Sequence, residues 1–199
     1  AFEQTLRLCK VNAGDEVAIL AESQSRQINP HLAKLALFRL GAKPFHLCIP
    51  TPRQSAPVPV QSTGASQAIQ QLRPVLAALT SCPLIVDCTV EGLMHAPELP
   101  TILKSGARVL SVCNEHPDTL ERLLPDEVIK AQVLAASRMV RNAKIMTVTS
   151  AAGTDLTVNM EGAATVGIWG YTDKPGTLAH WPGGLLVSFP KANSANGRL

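Results

Sequence analysis

Continuous apolar segments recur through the first 143 residues, and amphipathic segments separate them. EVAILAE at 16–22, CPLIVDCTV at 82–90 and ARVLSVC at 107–113 lack the two-residue alternation of a half-exposed strand. Strands of this kind are typical of a parallel sheet whose two faces are both covered by helices. The pattern therefore predicts a parallel α/β sandwich, Rossmann-like or flavodoxin-like, over residues 1–143.

The segments between these strands carry helix signals. Asn29 followed by Pro30 is typical of a helix start, and Gly41 ends that helix. Residues 126–142 bring an apolar side chain to one face every three or four positions. Strands and helices are thus predicted to alternate as far as residue 142.

A Pro-rich connection, TPRQSAPVPVQSTGA at 51–65, interrupts this order. It is long for a compact domain, so it is predicted to be either a mobile lid or a disordered excursion. Ser66 is expected to cap the helix that follows, and Pro74 is expected to kink or divide that helix.

Composition and motifs exclude several classes of function. The chain of 199 residues has a formal net charge of +3 without a run of Lys or Arg, so nucleic acid is not predicted as a partner. Its apolar runs are too short to cross a bilayer and no signal segment precedes the first helix, so we expect a cytoplasmic protein without a membrane partner. Neither the GxGxxG motif nor a P-loop motif occurs, so the fold alone does not imply a nucleotide cofactor.

Five cysteines lie far apart in apolar surroundings: Cys9, Cys48, Cys82, Cys88 and Cys113. None forms a CxxC pair, so neither a zinc ribbon nor a thioredoxin-like redox site is indicated. Buried free thiols are predicted, and this argues against Cys88 or Cys113 as a nucleophile.

The pattern changes after Lys144. KIMTVTS and DLTVNMEG alternate apolar and polar residues around the turn AAGT, which predicts an antiparallel hairpin with one exposed face. Residues 1–143 are interpreted as an N-terminal α/β domain, and residues 144–199 as the start of a β-rich catalytic domain that is truncated at Leu199. Because unpaired strand edges favour pairing between chains, we expect a homo-oligomer.

The segment GYTDKPGTLAHWPGG at 170–184 carries the strongest signal of a binding site. Its Gly and Pro residues make it too irregular for a helix or a central strand, and they allow a small molecule to approach the backbone closely. His180 supplies a proton-transfer group beside the flat apolar surface of Trp181. This pairing suits a planar, polar substrate, aromatic rings included. The alternative is an ordinary structured loop that Trp181 anchors to the core.

Three stretches carry a resemblance to a known family: AGTDLTV at 152–158, the segment at 170–184 and SFPKANSANG at 188–197. They resemble the central region of the 2,5-dihydroxypyridine 5,6-dioxygenases, and a weaker likeness extends over the whole chain. These are non-haem iron, ring-cleaving enzymes of nicotinic-acid degradation and distant relatives of the aminopeptidase T metallopeptidases. GYTDKPG followed by HWPGG is fairly specific to the dioxygenase branch, whereas GTDL occurs in both branches.

The resemblance implies roles for several residues. His95, after the third strand, matches a family histidine that accepts a proton from the hydroxypyridine, and His180 matches one that holds or protonates the ring substituents. These two are the catalytic candidates. The predicted substrate-binding residues, Tyr171, Trp181, Pro182 and Gly183, come from the composition of the segment at 170–184. Similar family members have a carboxylate where Ile168 stands. The implied substrate is therefore 2,5-dihydroxypyridine or a related hydroxylated N-heteroaromatic, with O2 as the second substrate.

The resemblance places the iron ligands outside this chain. In the family, Fe(II) is held by two His and one carboxylate in the C-terminal part, beyond the residues present here. His31, His46 and His116 show no ligand-like spacing to a carboxylate. No metal ligand is therefore predicted in this chain, and the chain alone is expected to be inactive.

A second interpretation stays open on the sequence alone. In it, the chain is a metallopeptidase-like relative of aminopeptidase T or a non-catalytic assembly domain, and the loop at 170–184 is a structural plug. HWPGG favours the dioxygenase, while Ile168 and the missing ligand triad leave the alternative open.

Overall fold

Six helices and ten strands form the regular structure of residues 1–53 and 67–198, which the computed structural model describes. The helices are α1 (Phe2–Leu8), α2 (Ile28–Arg39), α3 (Arg73–Thr80), α4 (Leu99–Lys104), α5 (Pro117–Arg122) and α6 (Glu127–Asn142). The strands are β1 (Glu16–Glu22), β2 (Lys43–Ile49), β3 (Leu84–Asp87), β4 (Arg108–Ser111), β5 (Ile145–Thr149), β6 (Asp155–Asn159), β7 (Ala164–Ile168), β8 (Leu178–His180), β9 (Leu185–Phe189) and β10 (Ala195–Arg198). Among these described residues, none of the helices is both long and apolar enough to cross a membrane.

Five strands form one sheet in the order β2-β1-β3-β4-β8, and every pairing in it is parallel. The carboxyl ends of these strands therefore meet at one edge. β2 lies on one side of β1 and β3 on the other, so the direction of winding reverses between β1 and β3. This order is typical of flavodoxin-like sheets, and it confirms the predicted parallel α/β architecture.

The central strands are buried, as their continuous apolar sequences predict. β3 and β4 are buried at every position, and β1 is buried at six of its seven positions. On one face of the sheet, Leu20, Ile85 and Val109 share a core cluster with Leu79 of α3 and Ile102 of α4. Burial of this apolar surface is the main source of stability for the sheet.

The strands that follow α6, other than β8, pair in antiparallel fashion. β5 and β6 form the predicted hairpin, with Ile145 opposite Asn159 and Thr149 opposite Asp155, and β10 pairs with the other edge of β6. β7 and β9 form a separate antiparallel pair. The predicted change of strand type after Lys144 is confirmed for these five strands.

The chain divides into two compact units. The first contains Ala1–Pro125 and Gly170–Gly183, and the second contains Asp126–Trp169 and Gly184–Leu199. This division differs from the predicted boundary near residue 143 at two places.

Packing explains both differences. α6 belongs to the second unit because it packs on β7 and β9. There the backbone of Gly167 approaches the helix so closely that a Cβ would lie 2.6 Å from Val133 Cγ1. Gly170–Gly183 belongs to the first unit because β8 pairs with β4 in the parallel sheet.

The helix around Pro74 differs from its prediction. Pro74 neither kinks nor divides a helix, because it lies in the first turn of α3, where a missing N–H group costs nothing. Gln70 and Gln71 have positive φ values of 53° and 57°, so the backbone turns just before α3. Ser66 and most of the Pro-rich connection lie outside the described residues.

Two other local predictions need correction. Cys48 is exposed, not buried, because it lies on β2, the outer strand of the sheet, while the other four cysteines are buried and free. The helix α5 was not predicted, although Pro117 at its first position is a recognised start signal.

Replacing Ile85 by alanine is expected to lower the free energy of unfolding by about 2–5 kcal/mol, because a fully buried side chain is lost and a cavity remains. Leu35→Ala, at an α2 position that is 48% exposed, is expected to change it by less than about 0.5 kcal/mol. Urea unfolding of both variants measures the two values. Equal losses would contradict the position of Ile85 in the core.

Candidate active site

The carboxyl ends of β3, β4 and β8 lie side by side at one edge of the parallel sheet. Asp87 pairs in register with Ser111, and Ser111 pairs with His180. Open α/β sheets bind ligands at this edge, in the loops that follow the strands. The β8 end with His180 and the loop with His95 therefore extend from the same edge.

The carboxylate of Asp87 organises the loop after β3. It is fully buried, and one oxygen accepts hydrogen bonds from the N–H and the hydroxyl of Thr89 at 3.1 and 2.6 Å. The other oxygen accepts from the N–H of Leu93 and the hydroxyl of Ser111, both at 2.7 Å. These donors compensate the burial of the carboxylate and fix the chain from residue 87 to residue 93.

His95 lies in a turn directly after this fixed segment. The N–H of Ala96 donates to the carbonyl of Leu93 at 3.0 Å and closes the turn around His95. α4 begins only at Leu99, with Glu98 as its cap residue, so His95 does not cap a helix. Its side chain is exposed and therefore accessible to a proton donor.

His180 is the last residue of β8 and is half-buried. The predicted irregular loop is wrong at residues 178–180, because they pair with β4, and the N–H of Trp181 donates to the carbonyl of Ser111 at 2.8 Å. Nδ1 of His180 lies 3.0 Å from the carbonyl oxygen of Pro182. A carbonyl can only accept, so Nδ1 carries the hydrogen and Nε2 of the neutral ring is the acceptor.

Trp181 anchors the segment to the core of the first unit. Its side chain is fully buried, and Nε1 donates to the carbonyl of Leu123 at 3.0 Å. Its ring meets Phe2 edge-on, with centroids 5.0 Å apart and an interplanar angle of 72°. Tyr171 is also fully buried, whereas the two residues after Trp181 are half-buried. Contact of this group with a substrate stays a prediction, as does a pocket shared by the two candidate histidines.

Two further carboxyl groups at this edge were not among the predicted site residues. Glu22 ends β1 and is 2% exposed. Burial raises the pKa of Glu22, a hydrogen bond with Thr51 opposes the rise, and the charges of Asp87 and Glu91 add to it. Burial also raises the pKa of Glu91. Glu22 Oε2 and Glu91 Oε1 have no hydrogen-bond partner in the part of the chain that the structure describes. The sequence did carry a signal for Glu22, because this carboxylate is the last residue of the apolar run that forms β1.

The buried thiols have little nucleophilic character. Burial raises the pKa of Cys9 to about 12, and it raises the pKa values of Cys88 and Cys113 well above the ordinary thiol value. The thiolate, which is the nucleophilic form, is therefore scarce near neutral pH. This agrees with the prediction that neither Cys88 nor Cys113 is a nucleophile.

The model of the NicX family, described as 2,5-dihydroxypyridine 5,6-dioxygenase, matches residues 1–199. The chain belongs to this family. A curated relative from Pseudomonas putida KT2440, named 2,5-dihydroxypyridine 5,6-dioxygenase, is 34% identical over 200 residues, which are 100% of this chain and 56% of the relative.

A solved structure of the 2,5-dihydroxypyridine dioxygenase from Pseudomonas putida KT2440 matches this NicX-family chain with a TM-score of 0.87 at 33% identity. The match covers 98% of this chain and 56% of that one. The chain thus spans about half the length of the relatives it matches.

The NicX-family resemblance implies iron, and the described residues do not supply a site for it. Within residues 1–53 and 67–198, no three His, Cys, Asp or Glu side chains are placed to hold one metal ion. The remaining positions, 54–66 and 199, contain none of these residue types. Asp87, the most buried carboxylate at the site, already accepts hydrogen bonds on both oxygens.

Replacing Glu22 by glutamine is expected to make the chain more stable than wild type near neutral pH. Burial raises the folded-state pKa of Glu22 above its ordinary value of 4.5, so the folded chain binds the proton of Glu22 more tightly than the unfolded chain does. This proton stabilises the wild-type fold fully below pH 4.5, and the stabilisation is lost as the pH rises through the folded-state pKa. Glutamine does not titrate, so the variant does not lose stability in this way. The stability difference between variant and wild type should therefore shrink as the pH falls towards 4.5.

Urea unfolding at several pH values measures this difference. Glu121→Gln, which removes an exposed carboxylate on α5, is the matched control and should change the free energy of unfolding by less than about 0.5 kcal/mol. A Glu22→Gln variant that is less stable than wild type near neutral pH would contradict the direction of the pKa shift.

Proposed function

We propose that the protein carrying this chain is a ring-cleaving dioxygenase that acts on 2,5-dihydroxypyridine or a related hydroxylated N-heteroaromatic, with O2 as the second substrate. Membership of the NicX family over residues 1–199 and the name of the Pseudomonas putida relative support this. Within this chain, one observation carries the proposal. His180 ends β8 and His95 follows β3, so both family histidines belong to the carboxyl edge of one sheet.

Each histidine has a proton-transfer role in this proposal. A hydroxypyridine must lose its hydroxyl proton to become an electron-rich oxyanion, and a neutral imidazole can accept that proton near neutral pH. His95, with its exposed side chain, is the proposed acceptor. Nδ1 of His180 faces the carbonyl of Pro182, so Nε2 is left as an acceptor that can hold a hydroxyl substituent of the ring, and it can protonate a ring substituent only after it has taken up a proton itself.

Iron is assigned to residues outside this chain. When bound, Fe(II) supplies the activation of O2 in enzymes of this type. The proposed contribution of this chain is to hold the substrate and to move its proton.

At position 168 this chain differs from the carboxylate that the family resemblance implies. Ile168 ends β7, is half-buried and pairs with Leu185 in the second unit. Its side chain can neither accept a hydrogen bond nor balance a charge, unlike the carboxylate of similar family members. The substrate class is therefore proposed more broadly than 2,5-dihydroxypyridine alone.

A cytoplasmic homo-oligomer is part of the proposal. Among the described residues, β5 and β10 are the outer strands of their three-stranded sheet, and the side chains of both strands are exposed. Outer strands offer backbone groups for pairing with another chain.

The family match over the whole chain favours the dioxygenase over the metallopeptidase-like and assembly-only alternatives.

Replacing His95 or His180 by alanine in the intact protein that contains this chain is expected to lower kcat by about 10²–10⁴-fold, as for the loss of a general acid or base. Steady-state kinetics with 2,5-dihydroxypyridine and a parallel iron determination measure the effect. Iron content should stay at the wild-type level, because neither side chain is a proposed ligand.

His31→Ala is the matched control for these variants. It removes an exposed imidazole from α2 and should leave kcat within about twofold of wild type, as expected for a surface position. Near-normal turnover in both test variants, or loss of their iron, would show that the proposed roles are wrong.

Fe(II) added to residues 1–199 alone is expected to show no tight stoichiometric binding, because no three potential ligands converge among the described residues. Anaerobic calorimetry measures binding, and an oxygen electrode measures uptake with 2,5-dihydroxypyridine, which should stay at background. One strong Fe(II) site would overturn the assignment of iron to residues outside the chain.

A further inference from the structure

Asp87 and Ser111 form a buried contact between two neighbouring strand ends. Both side chains are 0% exposed, and the hydroxyl of Ser111 donates to the Asp87 carboxylate at 2.7 Å. The backbone carbonyl of Asp87 also accepts from the N–H groups of Val112 and Cys113 at 2.8 and 2.9 Å. The ends of β3 and β4 are therefore joined by side chains as well as by the sheet ladder.

A short path leads from this contact to His95. The carboxylate oxygen of Asp87 that accepts from Ser111 also accepts from the N–H of Leu93. The carbonyl of Leu93 closes the turn to Ala96, and His95 lies inside that turn. Movement of Asp87 would therefore shift the backbone that carries His95.

A second path leads from the same contact to His180. Ser111 is the register partner of His180, and its carbonyl accepts from the N–H of Trp181 at 2.8 Å. Ser111 thus contacts the β3 loop through its side chain and the end of β8 through its backbone.

The loop after β3 also has little room to move. Gly92 has a φ of +79°, and a Cβ on it would lie 2.5 Å from Cys113 Sγ. Its N–H donates to the hydroxyl of Thr89, which in turn donates to Asp87. The loop therefore packs directly against the residues that follow β4, and its hydrogen bonds to the Asp87 carboxylate hold it there.

We infer that the side chains of Asp87 and Ser111 are positioning groups that set where His95 lies at the sheet edge relative to His180, an inference that rests on the proposed function. Neither residue is assigned contact with the substrate. A carboxylate is needed at position 87 because all its partners are donors. An amide would turn an N–H group towards one of them.

The central test is Ser111→Ala in the intact protein. Its kcat is expected to fall about 10–100-fold while KM for 2,5-dihydroxypyridine stays within about threefold, since a misplacement of about 1 Å can cost about 10²-fold in rate. Ser137→Ala removes another buried serine hydroxyl, on α6 in the second unit, and serves as the control with kcat expected within about twofold. Equal losses in the two variants would overturn the inference.

A double-mutant cycle separates positioning from a general loss of stability. If Ser111 acts through His95, adding Ser111→Ala to His95→Ala should lower kcat by less than about threefold further. Additive losses would show that the hydroxyl acts independently of His95, and this would overturn the inference. Ser111→Thr, which keeps the hydroxyl, should recover most of the lost kcat.

Hydrogen exchange tests the loop without any assay of activity. The amide of Leu93 should exchange at least about tenfold faster in Ser111→Ala and in Asp87→Asn than in Ser137→Ala, because side chain 87, its acceptor, is then less firmly held or less well suited to the donors around it. Unchanged exchange would show that Asp87 does not fix the loop. Normal turnover in His95→Ala would instead reject the proposed function and the catalytic part of the inference, while the Leu93 exchange rate would still decide whether the loop is anchored.

Discussion

The parallel pairing of β8 with β4 determines where the candidate site lies. Without it, residues 170–183 would be only a long connection between β7 and β9. With it, His180 stands beside Ser111 at the edge of the sheet. Trp181, the residue after β8, stabilises this pairing. Its ring packs on Phe2, and its indole N–H donates to the carbonyl of Leu123. The position of the histidine therefore depends on apolar packing one residue away.

Much of the parallel sheet was predictable, because burial on both faces leaves a direct trace in the sequence. β1, β3 and β4 each appear as a continuous apolar run, and the β5–β6 hairpin appears as alternation around a turn. β8 left no such trace. It has three residues between Gly- and Pro-rich stretches, and its strand partner lies far earlier in the chain. Pro74 shows the same limit on a smaller scale, since its effect depends on where the helix starts.

The candidate site was predictable only in part. His180 was singled out by its Gly- and Pro-rich segment and by its neighbour Trp181, whereas His95 was identified only through the family resemblance, because an isolated histidine has no periodic pattern of its own. Asp87 and Glu22 did leave a signal, since each closes an apolar run. Which donors meet Asp87, however, depends on the register between β3 and β4 and on the path of the following loop. Neither quantity is specified by the local sequence.

The return of residues 170–183 to the first unit has a consequence for the order of folding. During synthesis, β4 leaves the ribosome long before β8, and residues 126–169 of the second unit are made in between. The outer edge of β4 therefore has no β8 partner until the chain has grown past residue 180. Its closure requires a contact of high sequence separation, and such contacts form slowly. The strand that carries His180 can therefore join the sheet only after residues 126–169 of the second unit have been translated.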